Sequence, residues 1–141
     1  YDLPLPLNDK TYNFSFSGIK SAVINLVHNE NQRGNTINKE DLCATFQHNV
    51  TEVIAKKTMH ALKEYHVNNL IVARGVSANA GLRERLEKDC KVYNINLSIP
   101  RIQYCTDNAT MIAAAAYFAY KKNIFADQTL NAVATDSLYK Y

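Results

Sequence analysis

The 141-residue chain has no hydrophobic run long enough to span a bilayer. Its most apolar stretch, Met111 to Tyr120, reaches only about half the ~20 residues that a crossing helix needs. No membrane partner is therefore expected. The opening "YDLPLPLNDK" lacks a basic region followed by an apolar one, so no secretion signal is read there. Cysteine is scarce. Cys43, Cys90 and Cys105 are odd in number and widely spaced, with no C-x-x-C pair and no zinc-finger spacing. Reduced thiols in a cytoplasmic protein are expected. The four histidines, His28, His48, His60 and His66, form neither H-x-x-x-H nor H-E-x-x-H. That removes the zincin type of peptidase and leaves no complete histidine-based metal site. Charge of one sign is also lacking: a net +3 permits a nucleic-acid partner without arguing for one. There is no internal repeat and no low-complexity segment. The first residue is Tyr1 rather than Met, which raises the expectation of a piece of a longer protein.

What is present is a foldable chain. Nearly half the residues are hydrophobic (47%), enough for one ordinary domain with a core. Pro4, Pro6 and Pro100 lie at edges of periodic segments. The opening to Lys10 reads as an extended, wrapping segment. "TYNFSFSG" alternates, with Tyr12, Phe14 and Phe16 on one face, and predicts a strand ended by Gly18. Ile19, Val23, Leu26 and Val27 recur at helical spacing, and the polar run that follows, from Asn29, reads as a loop. A long helix is predicted from Asn38, as cap, to Tyr65, with Leu42, Phe46, Val50, Ile54, Ala61, Leu62 and Tyr65 near every third or fourth position. "LIVA" (Leu70 to Ala73) reads as a strand covered on both faces. "RGVSAN" is a turn, "AGLRERLEKDC" a charged helix, and "NLSIP" a strand stopped by Pro100. The apolar helix after Asp107 ends at Lys121 and Lys122, where the dipole favours cations. Residues from Asn123 onward read as a tail packing back on the domain. Strands alternating with helices imply an α/β fold, a mixed sheet with a parallel centre flanked by helices. Ligands of such sheets bind beyond the carboxyl ends of the strands. The turns at Arg74 to Asn79 and at Arg101 to Asn108 both leave strands there and are expected to face one crevice.

Several residues carry chemistry in two readings each. Gly75 lets backbone approach a ligand, and Asn79 can make a bidentate hydrogen bond to an adenine or ribose edge. Alternatively Ser77 or Asn79 caps the next helix and Gly75 only turns the chain. Either Asp107 or Thr106 caps the apolar helix, or the Asp107 carboxylate holds something cationic. One carboxylate alone does not make a metal site. Cys105 reads as core. Ser15 and Ser17 have no partnered base, so they read as punctuation rather than nucleophiles. Arg83, Arg85, Lys88 and Lys91 alternate with acids and read as a solvated face.

The motifs "FSFSGIKSAV", "ATFQHNVTEVIAKKTMHAL", "LIVARGVSANAGLRERL" and "CTDNATMIAAAAYFAY", in this order and spacing, resemble the C-terminal half of the tRNA N6-adenosine threonylcarbamoyltransferase family, formerly labelled O-sialoglycoprotein endopeptidases or glycoproteases. The resemblance covers nearly all of residues 1–141. It implies one lobe of the actin-like ATPase fold, with a ribonuclease-H-like core. It implies transfer of a threonylcarbamoyl group from its adenylate to N6 of the adenine next to the anticodon in tRNAs reading ANN codons. It also implies a divalent metal, iron or zinc, acting as a Lewis acid. The metal is held by an H-x-x-x-H pair that this chain lacks and by an aspartate that maps onto Asp107. The nucleotide-contacting asparagine maps onto Asn79, in a turn with Gly75 and Ser77. The implied partners are tRNA and the other subunits of the modification complex, including a paralogous actin-like-fold protein. The family's turn begins with two glycines, and Arg74 stands at the first. Competing readings are a glycoprotease-type metallopeptidase, a catalytically silent assembly subunit, and a sugar kinase of the same fold. The chain alone is expected to be inactive.

Overall fold

The computed structural model describes residues 1–131. These residues fall into two units, Tyr1–Thr106 and one that begins at Asp107. The first contains α1 (Ser17–Gln32), α2 (Lys39–Glu64), β1 (Asn69–Ile71), α3 (Ala80–Val92) and β2 (Asn96–Ser98). Short 3-10 turns, Gly75–Ala78 and Ile102–Tyr104, follow β1 and β2. The second unit contains α4 (Ala109–Lys121).

The long helix is the spine of the first unit. Asn38 caps α2 as expected, its side chain accepting from the Asp41 N–H at 3.2 Å. Along α2 lie three apolar clusters. Leu42 packs with Leu3 and Ile19 of the opening segment and α1. Ala55 packs with Leu82 and Leu86 of α3, and Met59 and Leu62 pack with Cys90. Phe46 and Tyr65, expected in the seam, are 38% and 64% exposed instead. The buried stripe passes through Asn49, Val53 and Lys57 because α2 also carries the opening segment. That segment wraps as anticipated: the buried Asn49 amide donates to the Leu3 carbonyl at 2.8 Å.

The predicted strand at Tyr12 to Phe16 is absent. Residues Thr11 to Phe16 are irregular, and α1 begins at Ser17 with Gly18 inside it. Among the described residues β1 and β2 pair only with each other, and Tyr12 to Phe16 joins neither outer edge. Side chains hold the segment instead. Lys57, with its side chain 8% exposed, donates to Asp9 Oδ1 and to the Asn13 carbonyl, both at 2.7 Å. Tyr12 stacks on His60 at 5.6 Å and donates to Glu64 at 2.5 Å. α1 also runs three residues into the expected loop beyond Asn29 and stops at Gly34, whose φ of +74° suits glycine.

The Lys57 ammonium, more than any other neighbour, holds the Asp9 carboxyl below its ordinary value of 3.8. A carboxyl depressed on folding contributes stability that is present above its unfolded pKa and lost as pH falls through the folded one. Thermal melts are expected to show this loss as the pH is lowered below 3.8. Asp9→Asn should flatten the slope in that window; an unchanged slope would show that the ion pair does not secure the segment.

β1 and β2 are parallel, as expected, in the register Asn69↔Asn96, Leu70↔Leu97 and Ile71↔Ser98. Leu70 and Leu97 face the helical core. β1 is not covered on both faces, since Ile71 is 77% exposed. In the second unit, none of α4's residues is buried, despite their apolar composition. Lys121 does lie in its last turn. Residues 123–131 are irregular, and the rest of the expected packed tail lies outside the described residues. Among the described residues no helix is long and apolar enough to cross a membrane.

Candidate functional site

The turn after β1 carries the first group of candidates. The Val72 N–H donates to the Ser98 carbonyl at 3.0 Å, extending the parallel ladder to the brink of the turn. The chain then reverses at Arg74, which has φ 74° and ψ 179°. That backbone region is close to exclusive to glycine. Gly75 does not have a positive φ, and a Cβ built on it would meet nothing within 4 Å. The conformational demand of this turn therefore falls on Arg74, and Gly75 instead leaves backbone open to approach.

Ser77 closes the turn from inside. It is 1% exposed, and its N–H and Oγ donate to the Arg74 carbonyl at 2.9 and 2.5 Å. Its hydroxyl is committed within the loop. Asn79 sits between the turn and α3. Its Oδ1 accepts from the Leu82 N–H at 2.9 Å, so Asn79 is the helix cap. Its Nδ2 donates to Gln47 Oε1 of α2 at 3.2 Å. Gln47 can lie there because residue 81 is glycine: a Cβ at Gly81 would come within 3.0 Å of the Gln47 amide. The two bonds fix which way the Asn79 amide points. One of its N–H groups and one carbonyl lone pair remain uncommitted among the described residues. Capping and ligand binding are thus compatible in this one side chain.

The turn after β2 carries the second group. Cys105 is 2% exposed, in the core as anticipated. Arg83, read from sequence as part of a solvated face, is half-buried and joins the two turns. Its Nε donates to the Ser77 carbonyl and its Nη2 to the Pro100 carbonyl, each at 2.5 Å. The same Nη2 approaches Cys105 Sγ at 3.3 Å. Arg85 is likewise engaged, bridging Glu52 of α2 and Asp89 of its own helix. Arg83, on neither turn, therefore ties Ser77 of the first to Pro100 and Cys105 of the second. The only hint in sequence was the long cation four residues past the β1 turn.

Asp107 opens the second unit. The cap of α4 is Asn108, whose Oδ1 accepts from the Met111 N–H at 3.0 Å. Neither Thr106 nor Asp107 fills that role. Among the described residues no group of three or more His, Cys, Asp or Glu side chains comes together. The donor chemistry of Asp107 suits a divalent metal, but the residues present do not make a complete site.

The family model of tRNA N6-adenosine threonylcarbamoyltransferase matches residues 1–114. A protein of that name from Staphylococcus saprophyticus is 52% identical over 132 residues, covering 93% of this chain and 39% of its own length. One from Staphylococcus haemolyticus is 50% identical over the same span. One from Staphylococcus aureus strain JH9 is 46% identical over 142 residues, covering all of this chain and 42% of the relative. The chain thus spans about two fifths of these relatives and aligns with their C-terminal part.

Proposed function

The chain belongs to the tRNA N6-adenosine threonylcarbamoyltransferase family, and from that membership we propose that it is the nucleotide-side lobe of an enzyme of that activity. The proposal includes an actin-like arrangement for the lobe, and the parallel β1–β2 pair with its flanking helices supports that reading. The substrate is a threonylcarbamoyl-adenylate, and the acceptor is N6 of the adenine beside the anticodon of ANN-reading tRNAs. Work in the cytoplasm with tRNA and the other subunits of the modification complex, a paralogous actin-like-fold protein among them, belongs to the same proposal.

The observation that carries it is the turn between β1 and α3. Open backbone at Gly75 and an oriented amide at Asn79 lie together beyond the carboxyl end of a strand, where such sheets bind ligands. Asn79 offers one donor and one acceptor, the pair that matches an adenine edge. Asp107 supplies one carboxylate to a divalent metal, iron or zinc, whose further ligands lie outside this chain.

Adenosine monophosphate added to the isotope-labelled chain is expected to shift the amide resonances of Gly75 and Asn79. Transfer to tRNA by the 141-residue chain alone is expected to be undetectable, because it has no H-x-x-x-H pair. Shifts confined to other surfaces, or turnover by the isolated chain, would overturn the proposal.

A further inference from the structure

Arg83 spends its side chain on two loops to which it does not belong. Its guanidinium reaches Ser77, in the turn that ends at Asn79, and Pro100 and Cys105, in the loop after β2. Ser77 and Cys105 are both buried, so the bonds are shielded from competing water. Arg83 forms no ion pair among the described residues. Its planar fork is used for geometry, on carbonyls that diverge from two directions. A lysine, one point charge on a flexible stem, cannot reproduce that.

We propose that Arg83 is a positioning residue that couples the nucleotide turn to the loop after β2, so that a nucleotide held at Asn79 tightens the packing around Cys105. This rests on the reading that the turn takes an adenine nucleotide. Ordering one turn restricts the arginine, and a restricted arginine holds the other loop more firmly. Such coupling is reciprocal between the two ends.

Cys105 is its own reporter. A maleimide, with peptide-level mass spectrometry, follows Cys105 beside Cys43, which is exposed and labels at once. Adenosine monophosphate is expected to slow Cys105 labelling severalfold in the unaltered chain. Arg83→Met should speed labelling without nucleotide by about tenfold, the size of one lost bond to a charged group, and abolish the nucleotide effect. Arg83→Lys should not restore it, and it serves where the methionine variant does not fold. Leu86→Ala, a cavity in the same helix, lowers stability but should keep the nucleotide effect. Equal protection by nucleotide in the Arg83 variants would overturn the coupling. Should the nucleotide shift no resonance at Gly75 or Asn79, the nucleotide reading fails. The positioning role is then decided by labelling without nucleotide: it falls if Arg83→Met labels no faster than Leu86→Ala.

Discussion

Arg74→Gly is expected to stabilise the protein, although it shortens a side chain and adds a glycine. Arg74 holds φ 74° and ψ 179°, a conformation that costs a residue with a Cβ roughly 1–3 kcal/mol. Glycine adopts it without that cost and gives back roughly 0.5–1 kcal/mol through the greater freedom of the unfolded chain. The gain from the backbone alone is about 1 kcal/mol, or a rise in Tm of about 4 °C for a chain of this size. Arg74→Ala separates backbone from side chain, since alanine keeps the Cβ and the strain. Glycine should raise Tm and alanine should not. Equal gains from both would place the cost in the arginine side chain. Arg74 is exposed, so Arg74→Gly should change adenosine monophosphate affinity little. A severalfold gain in affinity would mean that the arginine obstructs the turn.

The second large effect concerns Asp107. In a full-length protein carrying this chain, Asp107→Ala is expected to remove the bound metal and reduce transfer by orders of magnitude. The start of α4 should survive, because Asn108 and not Asp107 accepts from the Met111 N–H. Asn108→Ala should do the opposite to the helix, costing about 1 kcal/mol and exposing Met111 to amide exchange. Elemental analysis beside hydrogen exchange separates the two variants. Retained metal in Asp107→Ala, with lost protection at Met111, would return Asp107 to the capping role.

Helix positions were legible because their signals are local. Asn38 caps as read, and of the two candidates for the next helix, Ser77 and Asn79, it is Asn79 that caps. The parallel pairing of β1 with β2 followed from a helix standing between two short apolar runs. Tyr12 to Phe16 misled because alternation reports a face to be covered, while a strand also needs a partner edge. α4 misled in a related way: apolar composition says that a surface wants covering, not that the described residues cover it. Arg83 could not be read as a tie between turns, since its acceptors are backbone carbonyls, which leave no mark in sequence. The strain at Arg74 was only half legible. A cation where the resembling family has glycine drew attention to the turn, but the dihedral angles located the demand there rather than at Gly75.

The most direct test of the account is a hybrid in which this chain replaces the matching C-terminal 42% of the Staphylococcus aureus relative. The hybrid is given threonylcarbamoyl-adenylate, the partner subunits and an ANN-reading tRNA, and the modified adenosine is measured by mass spectrometry. The expected result is transfer within about tenfold of the parent, a loss of no more than ~1.4 kcal/mol in transition-state stabilisation, and its collapse on Asp107→Ala. A hybrid that folds and holds the tRNA but transfers nothing, or one that transfers equally well without Asp107, would contradict it.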